Sequence, residues 1–151
     1  MINIYIGSDH AGWETKTKLI EYLKNSTHHH NLQLIDCGCY SNERCDYPLI
    51  ARDVALKVIE SKDTISFGIL ICGTGIGMSI TANRIQGVRC GIATNTEMAK
   101  MARLHNNCQV LAVGSRISTQ AEIETIVSTF IGTPFDTVNT RHKNRINLID
   151  I

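Results

Sequence analysis

Short runs of apolar and β-branched residues alternate along this chain with segments of helical periodicity. Five such runs predict strands, at residues 2–7, 32–36, 67–72, 90–94 and 110–114. Several of them are apolar almost throughout, which is typical of parallel strands that are covered on both faces. Five strand–helix units in succession therefore predict an α/β fold, in which helices cover both faces of a five-stranded parallel sheet.

The helical segments carry their own periodicity and their own start signals. Residues 51–59 and 123–131 each place apolar side chains on a single stripe at helical spacing. Thr94 and Thr119 each stand three residues before a glutamate, the spacing of a capping box, and Asp46 precedes an early proline. Weaker patterns predict the first helix at 11–25, the third at 75–85 and a short terminal helix after residue 134.

The bulk composition indicates one globular domain over residues 1–151. The chain is 43% hydrophobic and 19% charged, with a net charge of +1, so nothing overall attracts it to nucleic acid or to an anionic membrane. The first residues lack the features of a signal peptide, and no apolar run approaches the roughly 18 residues of a membrane span. We therefore expect a cytoplasmic protein whose polar, basic tail, 134–151, docks on the body or on a partner.

Candidate chemistry gathers directly after the predicted strands. Asp9 and His10 follow the first strand, Cys72 and a glycine-rich turn at 73–77 follow the third, and Arg116 follows the fifth. In parallel α/β sheets ligands bind at the carboxyl ends of the strands. These residues are therefore the first candidates for a site.

The glycine-rich turn joins a buried strand to a helix, where backbone amides favour an anion. It is neither a Walker loop nor a dinucleotide fingerprint, because the Gly-Lys-Ser/Thr ending is missing and Met78 stands where the third glycine belongs. A tight turn with Thr74 as N-cap is an equally good interpretation. Cys72 favours the functional interpretation, because the positive end of a helix stabilises a thiolate. We expect the other buried cysteines to be unreactive.

The remaining candidates have ordinary explanations as well as functional ones. His105 ends the fourth helical pattern, and Asp9 and Asp46 could simply cap helices. Arg141 and Arg145 share a helix face and would suit a phosphate, but the same pair could be a solvated surface. The three histidines at 28–30 and the cysteines at 37, 39 and 45 do not have zinc-site spacing, so we expect a solvated loop and no metal.

Seven segments together resemble the ribose and galactose phosphate isomerase family. They run in family order along the chain, at residues 7–12, 41–48, 68–80, 82–83, 103–106, 110–116 and 141–145. The resemblance implies a Rossmann-like three-layer α/β/α sandwich that forms homodimers or tetramers with active sites at the subunit interface. It also implies interconversion of ribose 5-phosphate and ribulose 5-phosphate, a pentose phosphate pathway reaction, without a cofactor.

The resemblance further implies a role for each candidate. Cys72 would be the catalytic base, and His105 with Asp9 would open the sugar ring. Thr74 and the backbone of the turn would surround the enediolate, through Gly73, Gly75, Ile76 and Gly77. The phosphate would be held by His10, Arg116, Arg141 and Arg145. The sugar hydroxyls would contact Asp46, Tyr47 and Asn106.

Two features bear on how far the resemblance extends. One branch of the family replaces the cysteine by a glutamate just after the glycine turn, and here that position is Met78, which cannot accept a proton. Asn139 and Thr140 stand where many members have glycines, which affects the approach of Arg141. A hexose-6-phosphate isomerase acting on galactose or allose phosphate, and a non-catalytic phosphosugar-binding protein, remain as alternatives.

Overall fold

The computed structural model describes residues 1–151 and contains one sheet of five parallel strands. The strands are β1 (Ile2–Ser8), β2 (Leu32–Asp36), β3 (Ser66–Cys72), β4 (Cys90–Ile92) and β5 (Val110–Gly114). Their order across the sheet is β2-β1-β3-β5-β4, and every neighbouring pair is parallel. The predicted fold class is confirmed.

The chain has six helices, and the first five cover the sheet on both faces. They are α1 (Trp13–Asn25), α2 (Tyr47–Glu60), α3 (Ile76–Asn83), α4 (Thr96–Leu104), α5 (Gln120–Gly132) and α6 (Thr140–Ile146). Buried side chains of α1, α4 and α5 pack on one face, and those of α2 and α3 pack on the other. None of the helices is both long and apolar enough to cross a membrane.

Strand β3 shows why the central strands are apolar at every position. Ile69 and Ile71 belong to the core beneath α1, α4 and α5, whereas Leu70 and Cys72 belong to the core beneath α2 and α3. Successive side chains of a strand point to opposite faces, so a strand covered on both sides needs apolar residues throughout. Cys72 is therefore a core residue that ends a strand.

The helix starts follow the predicted signals in part. Thr119 forms the predicted capping box with Glu122. The box predicted at Thr94 is wrong, because Asn95 is the N-cap of α4 and its side chain accepts the N–H of Met98 at 2.8 Å. Strand β4 accordingly ends at Ile92, two residues before Thr94.

A buried lysine fixes the loop that follows β2. Lys16 in α1 is fully buried, and its Nζ donates to Asp36 Oδ1 and to the carbonyl oxygen of Cys39, both at 2.5 Å. The same carboxylate oxygen accepts the N–H of Gly38. Backbone hydrogen bonds from Ser8 to Gly38 and from Cys39 to Ser8 then join this loop to the end of β1.

We expect Lys16→Met to lower the free energy of unfolding by about 2–3 kcal/mol, because it leaves Asp36 and a loop carbonyl without their cation. The loss is smaller than the roughly 3–5 kcal/mol typical of buried pairs, since the Asp36 side chain is 39% exposed. Lys18→Met is the matched control on the same helix. Its pair with Glu14 is exposed on both sides, so a loss under about 1 kcal/mol is expected. Urea denaturation measures both, and equal losses would contradict a structural role for Lys16.

Candidate active site

The carboxyl ends of β1, β3 and β5 are tied together by one serine. Ser115 Oγ lies within hydrogen-bonding distance of two carbonyl oxygens, 2.9 Å from that of Ala11 and 3.2 Å from that of Cys72. The backbone N–H groups of Ser115 and Arg116 donate to the carbonyls of Cys72 and Gly73.

Cys72 lies at the start of α3 with its sulfur hydrogen bonded to the backbone. The residue is 6% exposed, and the N–H of Gly75 donates to its Sγ at 3.0 Å. Gly75, not Thr74, is the N-cap of α3. Its φ of +83° is a left-handed conformation that glycine adopts readily. Thr74 instead accepts the N–H of Ile76 on its hydroxyl at 3.2 Å. The sulfur thus faces the positive end of the helix.

Two glycines allow close approach around this turn. A Cβ on Gly114 would stand 2.7 Å from the carbonyl group of Thr74, so β5 and the turn pack backbone against backbone. A Cβ on Gly77 would stand 2.6 Å from the ring of Tyr47. Because Gly77 has no side chain, Tyr47 at the start of α2 packs against the first turn of α3.

Asp9 and His10 occupy the end of β1 in different environments. Asp9 is buried, and its Oδ1 accepts the N–H groups of Ala11 at 2.9 Å and Gly12 at 3.1 Å. His10 is exposed, and its Nδ1 is 3.3 Å from the backbone nitrogen of Cys45. As an acceptor from that N–H, Nδ1 carries no proton, so a neutral His10 presents an Nε2–H donor.

An open cavity of about 490 Å³ lies beside these residues. Its lining includes Asp9, His10, Arg44, Cys45, Asp46 and Tyr47. Arg44 and Cys45 were not among the predicted site residues, and their position just before Asp46 was the only available signal. Asp46 is the N-cap residue of α2, but its side chain makes no capping hydrogen bond, so its carboxylate is free for a ligand.

Arg116 extends over the glycine-rich turn. Its Nη1 stands 3.1 Å from the place a Cβ on Gly73 would take, and the residue is exposed. We call the residues at this edge the strand-end cluster. Its members are Asp9, His10, Asp46, Tyr47, Cys72, Gly73, Thr74, Gly75, Ile76, Gly77 and Arg116.

The other predicted site residues form a second group around the end of α4, which we call the tail cluster. Its members are His105, Asn106, Arg141 and Arg145. His105 is the C-cap of α4, and its ring stacks on that of His142, with 4.2 Å between centroids and 14° between planes. The backbone N–H of Asp136 donates to the carbonyl of Leu104, which fastens the tail beside His105.

Arg103 holds this end of α4 in place. It is 7% exposed, and its Nη1 donates to the carbonyl of Cys108 at 2.6 Å and to Asn107 Oδ1 at 2.9 Å. Its guanidinium carbon lies 4.6 Å from the ring centroid of Phe67. Burial lowers the pKa of Arg103, yet a guanidinium stays charged in proteins. These contacts of Arg103 hold the end of α4, and therefore His105, in a fixed position.

The two clusters lie at opposite edges of the sheet. In the pairing of β3 with β5, Cys72 is opposite Gly114, whereas Gly68 is opposite Val110 at the other end. These four residue steps correspond to about 13 Å along the strands. His105 is near the second end, because the short segment from α4 to β5 places Gln109 in hydrogen-bonding contact with Gly68. One chain therefore does not bring His105 to Cys72.

Comparisons with known proteins identify the family of this chain. The sequence profile described as Ribose/Galactose Isomerase matches residues 4–149. This chain belongs to the ribose/galactose isomerase family. A family member from Mycobacterium leprae, named ribose-5-phosphate isomerase B, is 41% identical over 149 residues, which cover 98% of this chain and 88% of the relative.

Solved structures of the ribose/galactose isomerase family extend the match to three dimensions. The ribose 5-phosphate isomerase of Thermotoga maritima has a TM-score of 0.89 and 41% identity, covering 98% of this chain and 97% of its own. Ribose-5-phosphate isomerase B of Mycoplasma genitalium, solved with bound ribulose-5-phosphate, has a TM-score of 0.86 and 37% identity. That match covers 97% of this chain and 92% of the other.

Four other cysteines of this ribose/galactose isomerase chain have raised pKa values. Burial raises the pKa of Cys37 and Cys90, and it raises the pKa of Cys108 to about 11, so all three stay thiols at neutral pH. The pKa of Cys45 is also raised to about 11, first by burial and then by a hydrogen bond with Cys39. A thiol that stays protonated is a poor nucleophile.

The histidine loop is solvated only in part. His28 and His30 are exposed as predicted, but His29 is half-buried and its Nε2 lies 2.8 Å from Ser128 Oγ. Burial lowers the pKa of His29, with a smaller contribution from His28. No group of three or more His, Cys, Asp or Glu side chains is placed to hold a metal ion.

Proposed function

We propose that this chain is a ribose-5-phosphate isomerase that interconverts ribose 5-phosphate and ribulose 5-phosphate, with Cys72 as the base. The observation that carries the proposal is the Cys72 sulfur at the start of α3, hydrogen bonded to the N–H of Gly75 at 3.0 Å. Relatives at up to 41% identity over nearly the whole chain bear the name of this enzyme. The Cys72 sulfur lies beside backbone N–H donors, the arrangement that a thiolate base and a developing enediolate would need.

The proposed reaction moves one proton between neighbouring carbons. In the open-chain aldose the Cys72 thiolate removes the C2 proton, which leaves a cis-enediolate. The resulting thiol returns a proton to C1, the proton of the C2 hydroxyl passes to O1, and the ketose forms. A single base can serve both carbons when it lies over the bond between them, and a group whose pKa is near the working pH does so best.

The surroundings of Cys72 have complementary roles in this proposal. Negative charge develops on the enediolate oxygens, and the hydroxyl of Thr74 with the amides of the turn at 73–77 stabilises it. Losing one such donor typically costs about 3 kcal/mol of transition-state stabilisation. His10 and Arg116 bind the phosphate, and Asp46 and Tyr47 in the cavity contact the sugar hydroxyls. Remote phosphate binding holds the reacting carbons near sulfur.

We infer that the site is completed by a second copy of the chain. Ribose 5-phosphate is mostly a closed ring, so the reaction also needs a group that opens it, the role we assign to His105. In its own chain that residue lies near the opposite ends of the strands. A two-fold dimer that sets the cationic tail cluster of one chain against Asp9 and Asp46 of the other gives two equal sites. Arg141 and Arg145 are exposed and free to reach a phosphate there.

The first experiment compares substrates and one variant. After chelation, we expect turnover of ribose 5-phosphate well above that of allose and galactose 6-phosphates. Cys72→Ser should bind substrate and lose nearly all turnover, because a hydroxyl is a far weaker base than a thiolate. Cys37→Ser is the matched control, since the Cys37 thiol lies 3.7 Å from the carbonyl of Ile35 and a hydroxyl can donate there too.

Three results would count against the proposal in different ways. Full activity of Cys72→Ser would remove the base. Turnover of a hexose phosphate alone would keep the mechanism and change the substrate. Binding of all three sugar phosphates without turnover would favour a phosphosugar-binding protein.

The shared site predicts that two inactive chains restore each other. One chain carries Cys72→Ser and the other carries Arg141→Ala with Arg145→Ala, and two different tags allow the mixed dimer to be purified. Each mixed dimer has one site with all its residues and one site with both defects. At saturating ribose 5-phosphate we expect the mixed dimer to have roughly half the wild-type kcat, and at limiting ribose 5-phosphate roughly half the wild-type kcat/KM. Each parent alone should be defective.

A mixed dimer no better than its parents would show that the tail cluster of one chain does not complete the site of the other. In that event the tail cluster has another role, and the assignment of Cys72 stands independently.

A further inference from the structure

The ring of His142 is the one protein group in stacking contact with the ring of His105. The planes are 14° from parallel and the centroids are 4.2 Å apart, so His142 covers a face of the other imidazole. Contact through the face leaves both ring nitrogens of His105 on the edge, where they are available to a ligand. His142 itself is 7% exposed, and His105 is half-buried.

Asp136 fixes His142 relative to α4. Its backbone N–H donates to the carbonyl of Leu104 at 3.1 Å, one residue before His105. Its Oδ1 accepts the N–H groups of Val138 and Asn139, which shapes the turn into α6, and its Oδ2 lies 4.0 Å from His142 Nε2. The stacked ring is therefore anchored to the same helix end that carries His105.

Burial and the neighbouring positive charges favour the neutral form of His142, because they lower its pKa. Burial lowers its pKa most, the positive charges of His105, Arg141 and Arg145 lower it further, and Asp136 opposes them. A neutral His142 ring adds no like charge beside the His105 ring. Proton transfer by His105 is thus compatible with a stack that stays in place.

We propose that His142 is a positioning residue for ring opening, and this rests on the function proposed above for His105. By covering one face it prevents rotation of the His105 ring, so that the edge nitrogens point towards the ring oxygen and C1 hydroxyl of a bound furanose. Proton transfer depends steeply on such alignment. His142 has no part in the later proton transfer by Cys72.

Ring opening and proton transfer at carbon can be measured separately. Ribose 5-phosphate closes a five-membered ring through its C4 hydroxyl. Ribulose 5-phosphate cannot close one on C2, because its C5 oxygen carries the phosphate, so it enters the site as an open chain. In deuterated water, incorporation of deuterium at C1 of ribulose 5-phosphate reports the enediolate step alone.

We expect His142→Leu to lower turnover of ribose 5-phosphate roughly tenfold to a hundredfold, while deuterium incorporation into ribulose 5-phosphate stays within about threefold of wild type. His142→Phe keeps a flat ring against His105 and should retain most of the activity on both substrates. Its behaviour also separates loss of stacking from loss of the imidazole.

Equal losses on both substrates in His142→Leu would overturn the inference, since a merely structural defect in α6 would also disturb the phosphate site. Unchanged turnover of ribose 5-phosphate in that variant would overturn it as well. If wild-type protein itself neither converts ribose 5-phosphate nor exchanges ribulose 5-phosphate, the proposed function fails, and the two failures are therefore distinguishable.

Discussion

The parallel direction of all five strands is the constraint on which the site depends. Every strand ends at the same edge of the sheet, and every connecting helix must return the chain to the other edge. Residues that follow strands, such as Asp9, Cys72 and Arg116, collect at the first edge. Residues that follow a helix, such as His105, collect at the second. The residues at the two edges have complementary roles in the proposed reaction, but the fold of one chain keeps them apart.

Two buried cations give these edges their rigidity. Lys16 holds the loop after β2 against the end of β1, close to the cavity beside Asp9. Arg103 holds the end of α4 and the approach to β5, with Phe67 beneath its guanidinium. Each satisfies carbonyl oxygens that would otherwise be buried without a donor, so each orders a loop as well as a helix end.

Sequence reasoning reached the strands, the glycine-rich turn and Cys72, because apolar runs and glycines carry a local physical signal. It could not give the strand order or the separation of Cys72 from His105, since both depend on how distant segments pair. It also passed over Lys16, because a lysine within a helix normally reads as solvent-exposed and only the folded chain shows that Asp36 meets it. The stack of His142 on His105 has no sequence signal, since the two residues come from different helices.

The separation of the clusters has a consequence for inheritance. In the proposed dimer, a chain with a lesion in one cluster damages one site and leaves the other working, so such an allele would behave as recessive. A chain with lesions in both clusters would damage both sites of every dimer that it enters. That allele would be dominant, although its two lesions are recessive when they are carried apart.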